Sequence, residues 1–444
     1  MTVWIKEMEN SIDLMGILQK INQENIIFLD SSKEDKELSK YSFLGFNPFL
    51  VFKFDGEESE INERGVKRYV KGDPLELLRK LLQEYKFETD SDLPLVSGAL
   101  GYISYDYGKR MQGMPLLNEG YMKIPEIYFV FYDNMLIKDI EKDKVYLTSR
   151  DGRFDIPQGN AKTSEFKGGS NSFNSNFTKE EYMDAVREIK DYIREGHVYI
   201  ANMTQRFRCR CSGDSIDIYR ELRKSNGAPF SAYMNLEGFT VLSSSPERFL
   251  KLSDGKAETK PIKGTRPRGK DIQEDRKNRN ELTNSDKDKA ELLMIVDLER
   301  NDLSKVCKPH SVKVKELFKI EEYATVFHLV SSIEGELKPE EDVISLIRAT
   351  FPGGSITGAP KLRAMEIISE LEASERGLYT GSIGYIDFRG NADFNIVIRT
   401  ILTNDNEAFF GVGGGITYDS VEELEYQETL DKAKALMEVL EWNG

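Results

Sequence analysis

A lysine held between two residues that restrict or free the backbone opens the chemical reading of this 444-residue chain: Pro261-Ile262-Lys263-Gly264-Thr265-Arg266-Pro267-Arg268-Gly269. Proline fixes the approach and glycine leaves the backbone open, so Lys263 is aimed by a stiff turn. With cationic neighbours, an amine loses its proton more easily and becomes a nucleophile. Taken alone, the nonapeptide reads as a basic surface turn. The acids downstream change that reading.

Glu425, Glu428 and Lys432 stand at i, i+3 and i+7, one stripe on one face of a helix. Two carboxylates on a stripe suit a hard divalent cation, Mg²⁺ in particular, and Lys432 suits an anionic substrate. One such helix is otherwise a solvated charged face. Asp288 and Glu291 form a second i, i+3 pair where an apolar helix begins, a place where acids also cap or favour the dipole. Two pairs facing each other would give a cage open to substrate oxygens.

Ser355 and Thr357, in Pro352 to Lys361, lack the Gly-Lys-Ser/Thr order of a phosphate loop but read as a helix N-terminus suited to a carboxylate. Gly411, Gly413, Gly414 and Gly415 read as a backbone cradle or a turn. Arg399 is the one cation in the apolar strand Ile396 to Ile401, so it needs an anion, internal or bound. His328 reads as a core histidine and Glu247 as the partner of Arg248.

Charged residues make up 31% and hydrophobic ones 39%, a soluble globular balance, and the length allows about three domains' worth of chain. A formal charge of −15 without a basic face argues against nucleic acid. The first residues lack an apolar leader core and no 18-residue apolar run occurs, so a cytoplasmic location and no membrane contact are expected. Three cysteines without a C-x-x-C pair make neither a disulfide framework nor a zinc site.

Stepping through the elements, strands are predicted at 26–29, 41–45, 49–54, 98–103 and 129–132, with a helix opening at Pro74. Asp30-Ser31-Ser32 follows the first strand. Residues 151–176, rich in Gly, Ser and Asn, read as a linker or mobile loop between a module at 1–150 and a domain at 177–444. Beyond it lie a capping-box helix from Thr178, strands near 199–209, 230–235 and 240–243, and an apolar helix over 289–305. A helix from Pro360 to about Ala373, a hairpin around Arg389-Gly390-Asn391 and a last helix over 421–440 complete the chain.

These motifs resemble the chorismate-utilising family of anthranilate, aminodeoxychorismate, isochorismate and salicylate synthases. The similarity rests on Ser-Pro-Glu at 245–247, PIKGTRPRG at 261–269, AELLMIVDLERNDL at 290–303, FHLVS at 327–331, PGGSITGAPK at 352–361, GGGITYDS at 413–420 and EYQETLDKAKAL at 425–436. It covers 177–444, and FLDSS, YSFLGFNP and GALGYISYDYG resemble the family's N-terminal module more loosely. The fold it implies is α+β, two antiparallel sheets packed as a sandwich with helices outside, both chain halves sharing one core.

The resemblance implies Mg²⁺ on Glu291 and Glu428, supported through water by Asp288 and Glu425. Tyr379, Arg399, Gly414, Gly415, Ser355 and Lys432 would hold the carboxylates of chorismate. His328 would lie against the ring and Glu247 would be the general acid. Anthranilate synthases resemble PIAGT, with alanine where this chain has Lys263, whereas the aminodeoxychorismate branch has the lysine. The implied reaction is therefore amination of chorismate to 4-amino-4-deoxychorismate, towards p-aminobenzoate and folate. Ile200 departs from the pattern, standing where amination enzymes often have glutamine and isochorismate enzymes a lysine.

No cysteine lies in a nucleophile elbow, so nitrogen would come from a glutamine amidotransferase subunit. Asp30, Ser31 and Ser32 resemble, imperfectly, the family's tryptophan-binding motif. Two rivals stand beside this expectation: anthranilate synthase component I, and a protein that only binds chorismate or a partner.

Overall fold

The computed structural model describes residues 2–9, 12–21, 23–33, 38–116, 122–157, 172–323, 326–372, 374–404 and 406–441. Its architecture is the expected α+β one, antiparallel strands with surrounding helices. The strands join pairwise into one continuous network, because two long strands carry the ladder across the molecule. Tyr41–Phe54 pairs along its length with Ile127–Asp139, with the strand at 26–30 on its first half and that at 59–63 on its second.

Two strands were predicted where Tyr41–Phe54 runs as one. Asn47 takes a positive φ of 55° and the register slips between Pro48 and Leu50. Proline offers no N–H to the ladder, so the strand bulges and bends there without ending.

The two halves of the chain share their hydrogen bonds. Ile26–Asp30 pairs with Phe230–Leu236, and Gly98–Ile103 pairs with Ser382–Asp387. One core follows, in which Ile27, Phe52, Leu100 and Phe129 pack with Met234, Phe327, Ile383 and Phe394. Of the expected linker, 158–171 lies outside the described residues, while Asn174–Ser175 pairs with Phe207 and Arg208.

Helix starts follow their caps. Asp73 caps Pro74–Glu84, and Thr178 with Glu181 forms the capping box of Lys179–Arg194, which Gly196 ends at φ +81°. Ser285 caps Asp286–Val306, whose buried face carries Leu292, Ile295, Val296 and Leu303. Lys361–Leu371 and Glu422–Leu440 are the remaining helices that matter to the site; Ala373 lies outside the described residues. Among the described residues no helix is long and apolar enough to cross a membrane.

Two expectations near the end of the chain are corrected. The hairpin pairs Ser382–Asp387 with Ala392–Asn395, but 396–399 leave the ladder before Thr400–Thr403 resumes it. Arg399 sits in that break at φ +50°, not within a strand. The glycine run is neither turn nor loop: it lies inside the strand Glu407–Ile416, paired with Ile200–Arg210 from Arg210↔Glu407 to Ala201↔Ile416.

The join between halves concentrates at Asp387. Its carboxylate accepts from Val96 N–H at 2.7 Å and from Arg389 Nε at 2.7 Å, while Arg389 also donates to the carbonyls of Ser91 and Leu93. Asp387→Ala leaves a buried amide and a guanidinium without their acceptor. It is expected to cost about 3–5 kcal/mol, read as a lower urea midpoint at unchanged slope; an unaltered midpoint would show that this bracket contributes nothing.

Candidate active site

Lys263 lies on the strand Ile262–Pro267, paired with Val326–Glu336, and not on a free turn. The register shifts between Lys263 and Thr265, where Gly264 takes φ +78°. A Cβ there would stand 2.9 Å from the Asp288 carboxylate, so both conformation and space call for glycine. The Lys263 ammonium is mostly covered and lies 3.8 Å from Glu291 Oε2. The arginines expected to flank it turn elsewhere: Arg266 pairs with Glu281 and Asp288, and Arg268 with Asp275. Its charged neighbours are carboxylates.

The two acidic pairs do face each other. Burial raises the pKa of Glu291, with Lys263 and Lys287 opposing and Asp288 and Glu428 adding to it. Burial likewise raises Glu425, which accepts a 2.6 Å bond from Ser420 Oγ and feels Glu428 and Glu291. Burial opposes ionisation of Glu428 too, but Lys432 at 2.7 Å, then Lys263 and Lys287, outweigh it and hold its pKa low. Asp288 is already bound by Arg266 at 3.2 Å.

The glycine strand makes this crowding fit. A Cβ on Gly414 would lie 3.3 Å from Glu428 Oε1 and 3.4 Å from Glu425 Oε2; one on Gly415 would lie 2.6 Å from Lys263 Nζ and 3.0 Å from Ile200 Cδ1. Buried Ile200 is thus an apolar wall beside the amine. Lys432 Nζ donates to Gly413 O at 2.8 Å. Tyr379 packs its ring on Gly411, and burial raises its pKa, so the phenol stays protonated.

Among the described residues no three acidic, His or Cys groups converge into a closed metal-ligand group. Glu291, Glu425 and Glu428 instead form an all-oxygen wall shared by two helices, which is the donor chemistry a hard divalent cation takes.

Glu247 is buried and does not pair with Arg248, whose guanidinium is held by Asp393 and Glu258. Its main chain is fixed instead, N–H to Ser245 Oγ and C=O from Ile396 N–H. Burial pushes its carboxyl up to about 7; the Ser355 hydroxyl, the Ile262 N–H, Lys263 and Lys432 pull the other way. Such a group carries a proton for much of the time at neutral pH, as an acid catalyst must. Ser355 Oγ is turned towards it but falls short of hydrogen-bond geometry and has no other partner among the described residues. Ser355 sits in the 3₁₀ turn Gly354–Ile356, and Thr357 Oγ1 donates to Gly353 O; both precede the helix capped by Pro360 and do not form its N-terminus.

His328 is buried, its Nδ1 2.9 Å from Thr265 Oγ1, its ring edge-on to Tyr323. Burial, then Arg399 and Lys33, lower its pKa to about 3, so the ring is neutral at working pH and is not a proton donor there. Arg399 is half-buried, with its pKa lowered by desolvation of the guanidinium, and has no anionic partner among the described residues. It opens with His328, Tyr323 and Lys33 onto a cleft.

The N-terminal trio divides. Asp30 pairs with Arg223 at 2.6 Å, and with Ser31 it lines a separate cavity bounded by Tyr41, Pro229 and Tyr385. Ser32 bonds Ser231 at 2.6 Å and faces the Arg399 cleft. Sequence reading missed Glu299, a second buried acid on the helix of Glu291; the signal was its place among Leu292, Ile295, Val296 and Leu303 on the apolar face.

A family model described as chorismate binding enzyme matches residues 24–438. Aminodeoxychorismate synthase component 1 of Escherichia coli strain K12 is 40% identical over 421 residues, 94% of this chain and 93% of that protein. Anthranilate synthase component 1 of Aquifex aeolicus strain VF5 is 36% identical over 99% of this chain and 94% of that one. The crystal structure of anthranilate synthase component I from Streptococcus pneumoniae TIGR4 aligns with a TM-score of 0.80 at 29% identity, covering 91% of this chain and 93% of that one. The matches run through the paired strands and both acidic helices, and the chain belongs to the chorismate-binding enzyme family, as a chorismate-utilising enzyme.

Proposed function

We propose that this enzyme aminates chorismate to 4-amino-4-deoxychorismate, the branch that leads to p-aminobenzoate and folate in the cytoplasm. The observation that carries the reading is Lys263 Nζ lying against the Gly415 backbone, 3.8 Å from Glu291. An anthranilate synthase with alanine there would have no amine at this point. The name of the Escherichia coli relative supports the same branch.

In this reading Arg399 and Lys432 bind the substrate carboxylates, with Ser355, Tyr379 and the amides of Gly414 and Gly415 completing the contacts. Among the described residues Arg399 has no internal anion to leave, and the Ser355 hydroxyl has no bond to give up. His328, neutral, walls the ring. Lys263 passes a proton to a neighbouring carboxylate and its Nζ forms a bond to C2 while the C4–O bond breaks. Glu247 gives its proton to the departing hydroxyl, which leaves as water. Ammonia then bonds to C4, sheds a proton, and the C2–N bond breaks to free Lys263.

The carboxylate wall fits Mg²⁺, with Glu291 and Glu428 as holders and Glu425 in support; bound there, the ion supplies positive charge to a substrate oxygen. Asp288 is the weakest of the four, being occupied by Arg266. Ammonia would come from a glutamine amidotransferase subunit, in keeping with the "component 1" in the relatives' names. The cavity at Asp30 and Ser31 would take a tryptophan-like ligand.

Incubation with chorismate, Mg²⁺ and ammonium should yield aminodeoxychorismate; fluorescent anthranilate formed with no other enzyme present would overturn the assignment. Lys263→Ala should lower amination at least about a hundredfold with an unchanged far-UV spectrum, and undiminished product would reject the covalent step. Glu247→Gln, of equal size, should reduce kcat by about 10²–10⁴ with little change in chorismate KM; a wild-type kcat would remove Glu247 from the chemistry.

A further inference from the structure

The helix Asp286–Val306 turns three acids inward, Glu291, Glu299 and Asp302. Glu291 faces Lys263, and Glu299 lies about two turns further on, roughly 12 Å along the axis, buried beneath the site. Its one hydrogen bond is from Thr259 Oγ1 to Oε2 at 2.8 Å, and among the described residues no cation pairs with it. A buried carboxylate without a cation is costly, so the group keeps its proton. Burial pushes Glu299 up to about 8, with Thr259 opposing.

Its surroundings connect it to Glu247. A Cβ on Gly354 would lie 3.5 Å from Glu299 Oε1, and the next residue is Ser355, whose unsatisfied hydroxyl turns to Glu247. A small cavity lined by Glu299, Thr259, Gly354 and Asp302 separates the helix from this turn. The other charges facing Glu299 are spoken for: Asp302 is bound by Lys305 and Lys361, and Lys361 also donates to the carbonyls of Thr350 and Pro352. Glu247 acts on Glu299 directly, and Lys263 and Lys432 face Glu247.

We propose that Glu299 is a positioning residue that acts through Glu247, a buried proton store on the far side of the 354–355 turn. After Glu247 has protonated the departing hydroxyl, the Glu299 O–H bond breaks and a Glu247 O–H bond forms across the 354–355 turn. Glu299, now a carboxylate, regains a proton from the one that ammonia sheds at C4. The two carboxyls then titrate as a pair, and the pair retains one usable proton until the higher of its two transitions. This rests on Glu247 being the acid of the reaction.

The test is the alkaline limb of kcat for wild type and Glu299→Gln, with saturating chorismate and fixed total ammonium, read as a ratio so that ammonium's own titration cancels. An acid catalyst loses activity as pH rises through its transition. With the pair intact the limb falls near 8, and with Glu247 alone near 7. At pH ~8.5 Glu299→Gln should keep about one-eighth of the wild-type rate, and at pH ~6 it should lie within about twofold of it, with KM unchanged. Thr259→Val, which removes the one donor to Glu299, should move the limb the opposite way. Coincident limbs, or a loss equal at every pH, would overturn the proposal. A fully active Glu247→Gln would instead sink the role of Glu247 itself.

Discussion

How near a strand's backbone can come to charged side chains decides what this site can be. At Gly411, Gly414 and Gly415 the side chains are absent, and their places are taken by the Tyr379 ring, the Glu425 and Glu428 carboxylates and the Lys263 ammonium. Beyond Phe410 that strand is paired only with 200–210 among the described residues, and the helix Glu422–Leu440 packs against it. Any Cβ at 414 or 415 would push apart an arrangement of close charges, some buried and some half-exposed, in which each offsets another. Removing one member of such a set costs more than the set contributes.

Burial is the common cause behind several different protonation states. Glu428 stays ionised because Lys432 contacts it; Glu291 and Glu425, with weaker cationic support, are raised. Glu247 and Glu299, where burial outweighs the cations nearby, move to about 7 and about 8. His328, desolvated beside cations, goes the other way to about 3. Desolvation thus separates a wall of carboxylates from a pair of proton-bearing acids, with a few ammonium groups opposing it on both sides.

Local signals in the sequence were enough for much of the frame. The Thr178–Glu181 capping box, Pro74 after Asp73 and the i, i+3 acids at 288/291 and 425/428 all mark elements that form as read. What failed were inferences in which a neighbour in sequence was taken for a neighbour in space. Arg266 and Arg268 follow Lys263 closely, yet strand alternation and the bulge at Gly264 send them to Glu281, Asp288 and Asp275. Arg248 follows Glu247 and binds Asp393 and Glu258 instead. The glycine run was ambiguous for a related reason: its requirement comes from helices and strands distant along the chain. Glu299 escaped notice because an acid on an apolar face has meaning only once the layer beneath it is known.

Arg399 carries the same lesson into recognition. It sits between strands at a positive φ, is half-buried, and finds no carboxylate among the described residues, although the protein has a net charge of −15 and acids to spare. Lys432 and Lys263, by contrast, already touch acids. A dianionic ring arriving in this site would displace existing pairs to reach either lysine, and none to reach the guanidinium. Under the proposed reading, then, Arg399 supplies affinity and fixes which carboxylate goes where. The lysines are left poised against acids until the ring brings C2 and the C4 hydroxyl between them. The division follows from solvation: a guanidinium is weakly hydrated and tolerates burial without a counter-ion better than an ammonium does.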